Sequence, residues 1–486
     1  MSLPLVTEIA GGPRPEDLFK GLSGTPWVVW FDTALGGEAW GRYSFLAVDP
    51  FLVLRGRAGR AEWVGPRGIH PAATDPLSEL RGALRQYRLQ THGDLPPFCG
   101  GAAGMLGYEF ASEFEDVPGA AYRDLPTPDL EIGLYDLVVG WDRDENRCWV
   151  VSTGSTAGGN NEAQVASSRM QEAQEWLNGG PAPSQYSLPG GSNLELEGTL
   201  APPTYPVPGA RGLSSTFSPA GYREAVRRAI EWIRAGDVYQ VNLSQRFEVR
   251  SEEDPVELYI RLRQASPAPF GAYFAADRFS VLSTSPERFL HMSPTGAVQT
   301  RPIKGTRPRS DDAREDRKLA LELQSSVKDR AENLMIVDLL RNDLSRVCRA
   351  DSVRALDLFR IESYQTVHHL VSTVEGSLRE GRGRPDLLRA TFPSGSVTGA
   401  PKIRAMEIIS ELEPVARGPY CGVMGYMGFG GDMDTSVSIR IAVASEGRVA
   451  FHAGGAVVVD SDPAAEYEET LDKARALLSA IPGAER

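Results

Sequence analysis

The chain of 486 residues carries 51 lysine and arginine residues against 64 aspartate and glutamate residues, a formal net charge of −13 at pH 7. This acidic balance argues against a basic surface of the kind that binds nucleic acid or an anionic membrane. The four cysteines show no CxxC spacing, no signal-peptide pattern follows Met1, and no apolar run approaches the roughly 18 residues of a membrane span. We therefore expect a cytoplasmic protein with free thiols.

The first part of the chain predicts strands followed by a long connector. Residues 1–150 contain apolar strand-like runs separated by turns rich in Gly and Pro. Residues 155–176 have a polar helical pattern, and 179–215 have the Gly, Pro, Ser and Asn composition of a linker. Because so long a loop is unusual inside one compact domain, we predict an N-terminal domain (1–150), a helix plus connector (151–216) and a second domain (217–486).

The second half begins with a clear helix signal. Ser218-Pro219 is typical of a helix start, and the pattern predicts a helix over 219–235 that ends at Gly236. Strands and helices then mix without a strict βαβ alternation, which favours an α+β fold over a doubly wound parallel sheet. Lys304 follows in Pro302-Ile303-Lys304-Gly305-Thr306, a predicted tight turn between a strand and a charged helix.

Two acidic pairs occur on predicted helices. Asp329 and Glu332 are three residues apart, as are Glu466 and Glu469, so each pair lies on one helix face. Like charges at this spacing repel, and a hard cation held between the pairs would relieve the repulsion. Oxygen ligands alone favour Mg²⁺. The alternative is that both pairs are ordinary solvated helix faces of an acidic protein.

Three further features are suited to binding an anion. Gly454-Gly455 predicts a kink between strand-like runs, where bare backbone N–H groups can meet a carboxylate. Residues 394–402 form a Gly-rich loop that leads into a helix, but its glycine spacing does not match a nucleotide-binding loop. Arg440 lies in an alternating apolar run, where its guanidinium needs either a substrate carboxylate or an internal salt bridge.

Several segments in fixed order resemble the chorismate-utilising enzymes, a family that includes anthranilate, aminodeoxychorismate, isochorismate and salicylate synthases. The matching segments are 285–289 (SPERF), 301–306 (RPIKGT), 329–333 (DRAEN), 369–372 (HLVS), 397–402 (VTGAPK) and 460–470 (DSDPAAEYEET). Residues 40–45 (WGRYSF) and 100–104 (GGAAG) resemble the companion domain of the same family. The resemblance covers nearly the whole chain and is weakest at 150–216. It implies two large, mostly antiparallel β-sheets packed as a central sandwich with helices outside.

The resemblance also implies a set of site residues. It assigns Mg²⁺ to Glu332 and Glu469, with Glu466 close by. The residues expected to hold chorismate are Gly305, Thr306, Tyr420, Arg440, Gly454, Gly455 and Lys473, with His369 against the ring and its leaving group.

Two positions indicate which of the reactions of this family to expect. Members that add water to the ring resemble one another in a lysine base where this chain has Gln240, so hydration is not expected. Anthranilate synthases typically have alanine at the position of Lys304, whereas aminodeoxychorismate synthases typically have lysine. The resemblance therefore implies amination of chorismate at C4, with Lys304 as nucleophile and Glu287 as general acid and base.

No cysteine lies in the elbow motif of a glutaminase, so a separate glutamine amidotransferase subunit is expected to supply ammonia. Anthranilate formation remains an alternative, and a non-catalytic chorismate or tryptophan sensor a more remote one. Phe31-Asp32-Thr33 replaces the Leu-Glu-Ser element of tryptophan-inhibited anthranilate synthases, which argues against such inhibition but leaves a structural tryptophan open.

Overall fold

The computed structural model describes residues 3–34, 41–90, 94–159, 162–194 and 201–482. Trp40 of the companion-domain motif and residues 195–200 of the connector lie outside these ranges. Two short 3-10 helices span Tyr108–Glu113 and Gly395–Val397. The α-helices of the described residues are α1 (Pro15–Lys20), α2 (Pro76–Gln86), α3 (Ala163–Leu177), α4 (Pro219–Ala235), α5 (Pro255–Ala265), α6 (Ala313–Ser325), α7 (Val327–Ser345), α8 (Arg384–Thr391), α9 (Lys402–Leu412) and α10 (Pro463–Ala480).

The strands of the described residues form two large sheets. Those of the first sheet are β1 (Leu5–Glu8), β2 (Val28–Asp32), β3 (Tyr43–Ala47), β9 (Leu137–Asp142), β10 (Arg147–Ser152), β11 (Tyr205–Pro206), β12 (Leu213–Ser215), β13 (Gln240–Arg250), β14 (Phe270–Ala275), β15 (Ser280–Ser285), β21 (Gly399–Ala400), β24 (Ile441–Ser445) and β25 (Arg448–Val457). Those of the second sheet are β4 (Leu52–Arg57), β5 (Arg60–Gly65), β6 (Gly68–Pro71), β7 (Gly101–Leu106), β8 (Leu130–Tyr135), β16 (Arg288–Met292), β17 (Ala297–Thr300), β18 (Ile303–Pro308), β19 (Arg354–Ser363), β20 (Val367–Ser377), β22 (Val423–Gly428) and β23 (Met433–Val437).

Both sheets are antiparallel and each contains strands from both halves of the chain. The first has the order β1-β10-β9-β3-β2-β14-β15-β24-β25-β13-β12-β11, with β21 beside β13. The second has the order β18-β20-β17-β16-β23-β22-β7-β8-β4-β5-β6, with β19 beside β20. The two halves therefore join through backbone ladders at β2–β14 and β7–β22. The domain boundaries named above stay a prediction.

The core lies between the sheets and is shared by the two halves. Phe45 of the first sheet packs on Tyr426 of the second with ring centroids 5.6 Å apart, and Phe31 lies 5.7 Å from the same ring. Burial of these faces supplies the main driving force for holding the layers together. The predicted α+β sandwich with helices outside is confirmed.

The local predictions on the helices differ in accuracy. Helix α4 has the predicted bounds, with the Ser218 hydroxyl capping the Gly221 N–H and Gly236 ending the helix at φ 87°. Helix α3 begins at Ala163, later than predicted, because residues 155–159 form a turn ahead of it.

The cysteines and the helices agree with the compositional expectations. All four cysteines lie in the described ranges as buried free thiols. In the described part of the chain, the helices are too short or too polar to cross a bilayer.

Candidate active site

One cavity of about 550 Å³ collects every site residue predicted above. It lies where β13 and β25 of the first sheet meet β18 of the second, beneath helices α7 and α10. The predicted residues that line it are Glu287, Lys304, Gly305, Thr306, Glu332, His369, Tyr420, Arg440, Gly454, Gly455, Glu466, Glu469 and Lys473. Their roles stay predictions, but the fold brings together residues more than 180 positions apart.

Lys304 lies on a strand, and the predicted tight turn is wrong. Its strand, β18, pairs with β20, and the register shifts between Ile303 and Thr306. Gly305 has φ 89°, a conformation that favours glycine, so the chain bulges there. Burial lowers the pKa of the Lys304 ammonium, while the carboxylates of Glu332 and Glu287 oppose the shift. A lowered pKa makes the neutral amine of Lys304 more accessible.

Glu287 is a buried carboxyl between β15 and β16, with 4% of its surface exposed. Burial raises its pKa to about 7, although hydrogen bonds from the Ser396 hydroxyl and the Ile303 N–H and the charge of Lys304 act in the opposite direction. Its neighbour Arg288 pairs instead with Asp434 at 2.7 Å. A carboxyl that titrates near 7 can both give and take a proton at physiological pH.

The two acidic pairs meet at one end of the cavity. Glu332 on α7 is half-buried, and burial raises its pKa and that of Glu466 on α10. Oε1 of Glu466 accepts a hydrogen bond from the Ser461 hydroxyl at 2.7 Å, whereas the buried Oε2 has no hydrogen-bond partner in the described residues. Glu469 pairs with Lys473 at 2.6 Å.

An orphaned carboxylate oxygen beside further carboxylates fits the oxygen ligands that Mg²⁺ prefers. In the ranges described, no three acidic, histidine or cysteine side chains already form a closed set of metal ligands. A cation here would therefore need additional oxygens from substrate or water, as Mg²⁺ commonly takes.

The two glycines of β25 lie close to this acidic end. The predicted kink is wrong, because β25 continues through both residues, pairing Gly454 with Ser244 and Gly455 with Leu243 of β13. A Cβ atom on Gly455 would lie 2.9 Å from Oε2 of Glu466, and one on Gly454 would lie 2.3 Å from a backbone oxygen of β13. Glycine at 455 therefore leaves space beside the acidic residues, and glycine at 454 allows the close approach of β13.

Arg440 lies between β23 and β24 and has φ 52°, so the predicted strand position is wrong. Thr284 fixes this backbone, since its N–H donates to the Arg440 carbonyl at 3.1 Å. Burial lowers the pKa of the guanidinium, and no acidic side chain of the described residues pairs with it. The internal salt bridge considered above is therefore wrong, and the cation is available for an anion in the cavity.

His369 and Tyr420 are held by different contacts. Nδ1 of His369 lies 2.9 Å from the Thr306 hydroxyl, and burial, with the charges of Arg440 and His368, lowers the imidazole pKa to about 3. His369 is therefore neutral at physiological pH. Tyr420 stacks on His452 with ring centroids 5.0 Å apart and an interplanar angle of 10°.

Sequence reasoning missed several residues that line the cavity. Asn242 and Ser244 alternate on β13 and face it, and so does Ser396, which hydrogen-bonds Glu287. Gln240, the residue noted above in place of a lysine base, belongs to the same face of β13; it is fully buried, and neither of its amide atoms has a partner among the described residues. The alternation on β13 was the signal that could have found Asn242 and Ser244.

A second cavity, of about 370 Å³, surrounds Phe31, Asp32 and Thr33. Asp32 is buried there and pairs with Arg263.

Known proteins resemble the chain along most of its length. Residues 34–479 match the family of chorismate binding enzymes. The chain is 39% identical to the aminodeoxychorismate synthase component 1 of Salmonella typhimurium over 465 residues, which cover 95% of each protein. It is 40% identical to the anthranilate synthase component 1 of Streptomyces coelicolor over 433 residues, which cover 88% of this chain and 82% of that relative. The crystal structure of anthranilate synthase component I from Streptococcus pneumoniae matches with a TM-score of 0.76 at 31% identity, covering 91% of this chain and 93% of that one.

These matches confirm the resemblance predicted from the motifs. The matched segment contains the whole cavity and the β7–β22 junction of the second sheet. The chain therefore belongs to the chorismate binding enzyme family and is a chorismate-utilising enzyme.

Proposed function

We propose that the protein is the chorismate-aminating component of an aminodeoxychorismate synthase. It would replace the C4 hydroxyl of chorismate with an amino group and give 4-amino-4-deoxychorismate, the precursor of p-aminobenzoate and folate. The observation that carries the proposal is Lys304, which lines the same cavity as the buried acid Glu287 and has a lowered pKa. Relatives named aminodeoxychorismate synthase component 1 support it.

Chorismate is a dicarboxylate, and two ends of the cavity are suited to its two anionic groups. At one end the guanidinium of Arg440, which has no acidic partner among the described residues, can receive one carboxylate, and Tyr420 would border the same group. At the other end the backbone of Gly454 and Gly455 and the side chain of Lys473 adjoin the acidic residues. Gly305 and Thr306 would border the ring beside Lys304, and His369 would lie against it.

Glu332, Glu466 and Glu469 would hold Mg²⁺ at the acidic end. When bound, the ion would offset the repulsion among the carboxylates and supply a Lewis acid for the second carboxylate of the substrate. The orphaned Oε2 of Glu466 supports this part of the proposal.

Lys304 would begin the reaction as a neutral amine. Its nitrogen attacks C2 of the ring, both ring double bonds shift by one position (C1=C2 to C1=C6 and C5=C6 to C4=C5), and the C4–O bond breaks. Glu287 gives its proton to the departing hydroxyl, which leaves as water. The products of this step are a covalent lysine–ring adduct and the Glu287 carboxylate.

Ammonia would complete the reaction by the reverse shift. Its nitrogen attacks C4, both double bonds return to their original positions, and the C2–N bond breaks to release the lysine as a neutral amine. The Glu287 carboxylate takes the extra proton from the new amino group, which restores both residues to their starting states. The enolpyruvyl group is retained throughout, unlike in anthranilate formation.

Ammonia would come from a partner. We propose a glutamine amidotransferase subunit, because the chain shows no glutaminase motif of its own and several relatives are named as a component 1. High concentrations of ammonium should replace this subunit in solution.

Product analysis tests the proposed function. The purified chain is incubated with chorismate, Mg²⁺ and ammonium at mildly basic pH. The products are separated by chromatography and identified by their mass. We expect a product in which NH₂ replaces OH, which an added lyase converts to p-aminobenzoate, and no product after chelation by EDTA. Anthranilate with released pyruvate would instead show that the chain catalyses anthranilate formation.

A further inference from the structure

Lys473 forms an ion pair with one of the carboxylates assigned above to Mg²⁺. Its Nζ lies 2.6 Å from Oε1 of Glu469 and donates a hydrogen bond to the Gly454 carbonyl at 3.0 Å. Both members of the ion pair line the cavity, and about half of each side chain is exposed. The pair is therefore accessible to ligands of the cavity, and it engages a carboxylate that an incoming metal ion needs.

The space beside this pair is shared with a second carboxylate. A Cβ atom on Gly455 would lie 3.2 Å from Oε1 of Glu469 and 2.9 Å from Oε2 of Glu466, so the two oxygens border the same small space. Oε2 of Glu466 has no hydrogen-bond partner among the described residues, whereas Lys473 already holds Oε1 of Glu469. An ion that bridges the two glutamates therefore meets the ammonium of Lys473 at Glu469.

A second lysine lies at the acidic end but pairs less closely. Lys328 of α7 comes four residues before Glu332, and its Nζ lies 3.9 Å from Oε1 of that glutamate, with 75% of its side chain exposed. Lys473 of α10 comes four residues after Glu469. At this spacing the order Glu then Lys is the more favourable one on a helix, because it agrees with the helix dipole. Of these two lysines, Lys473 is therefore the stronger competitor for a metal-binding carboxylate.

Two cations on one carboxylate oxygen repel each other. Mg²⁺ binds carboxylate oxygens at about 2.0–2.1 Å, and an ammonium at hydrogen-bond distance from the same oxygen would be close enough for strong repulsion. The same ion pair also competes with the substrate. An ammonium that donates to Glu469 and to the Gly454 carbonyl has fewer N–H groups left for a substrate carboxylate.

We propose that Lys473 competes with Mg²⁺ for Oε1 of Glu469 and turns to the substrate carboxylate once the ion takes that oxygen. Lys473 then couples the binding of the two ligands. Metal binding frees its ammonium for chorismate, and chorismate in turn removes the competitor of the metal ion. The inference rests on the proposed function in taking Mg²⁺ and chorismate as the ligands, and it holds for either position of amination.

Calorimetry of Mg²⁺ binding without chorismate tests the competition directly. The wild-type chain is compared with Lys473→Met, which removes the charge but keeps a long side chain, and with Lys473→Arg, which keeps the charge. Lys328→Met is the matched control, because it removes a nearby charge that is not held at hydrogen-bond distance. The KM for chorismate is then measured from its consumption at saturating ammonium and a series of Mg²⁺ concentrations. Melting temperatures show whether each variant is folded.

For Lys473→Met we expect the Kd for Mg²⁺ to fall about three- to tenfold, because the competing ammonium is gone. The KM for chorismate at saturating Mg²⁺ should rise about tenfold or more, because a charge-assisted hydrogen bond is lost. Lys473→Arg should keep a Kd near that of the wild type, and Lys328→Met should change it by about twofold or less. A merely structural role of Lys473 would not move the two constants in opposite directions.

The calorimetry also separates failure of this inference from failure of the metal assignment. A Kd for Mg²⁺ in Lys473→Met that is unchanged, higher, or lowered no more than in Lys328→Met would overturn the inference and leave the proposed function intact. If neither the wild type nor Lys473→Met binds Mg²⁺, the metal assignment itself is wrong, and the inference with it.

Discussion

Replacing Lys304 with alanine is expected to lower the rate of C4 amination by about 10³-fold or more, because the step loses its nucleophile and not merely a contact. The cavity and its anion-binding end should persist, since Lys304 lies on the bulged end strand β18 and is only half-buried. Chorismate should therefore still raise the melting temperature of the variant. The rate is measured as 4-amino-4-deoxychorismate formed with saturating ammonium.

Lys318→Ala is a matched control, because this lysine lies on α6 with 69% of its side chain exposed and forms a surface ion pair with Glu315. It should leave the rate within about twofold of the wild type. If Lys304→Ala keeps full amination at C4, the covalent mechanism is wrong.

Replacing Glu287 with glutamine is expected to lower kcat by about 10²- to 10⁴-fold, the usual contribution of a positioned acid or base. The substitution keeps the size of the side chain and its capacity to accept from the Ser396 hydroxyl and the Ile303 N–H. A loss of rate with little loss of chorismate binding would therefore report chemistry and not folding.

The pH profile gives the same prediction a second readout. Glu287 must be protonated when the hydroxyl leaves, and its pKa is raised to about 7. The wild-type kcat/KM for chorismate should therefore fall as pH rises through about 7, and this decrease should be absent in Glu287→Gln. If the variant shows the same decrease, another group is the acid.

The family motifs and the local spacing predicted the composition of the site. Glu332 and Glu466 were predicted because residues three apart on a helix share a face, which is a property of the local chain. Through the family resemblance, Gln240 argued against hydration of chorismate and Lys304 favoured amination at C4. The cavity shows that these segments meet, as the resemblance implied.

The errors came from features that only tertiary structure sets. Arg440 occurs in a run that alternates like a strand, but a hydrogen bond from Thr284 holds its carbonyl where φ is positive. Gly454-Gly455 was expected to bend, yet a long ladder with β13 keeps β25 extended.

The extent of the two sheets also could not be predicted from local sequence patterns. Composition separated residues 1–150 from 217–486, but backbone hydrogen bonds at β2–β14 and β7–β22 join the two parts into shared sheets. Antiparallel neighbours distant in sequence leave no periodic signal that shows their partner.

Trapping the lysine adduct tests the central claim most directly. The chain is mixed with chorismate and Mg²⁺ without ammonia, quenched in acid, and analysed by intact mass and peptide mapping. A mass gain of one chorismate less one water, located on Lys304 and removed by adding ammonium before the quench, is the result the mechanism predicts. A chain that forms 4-amino-4-deoxychorismate with ammonium at full rate but never carries this mass on Lys304 would contradict it.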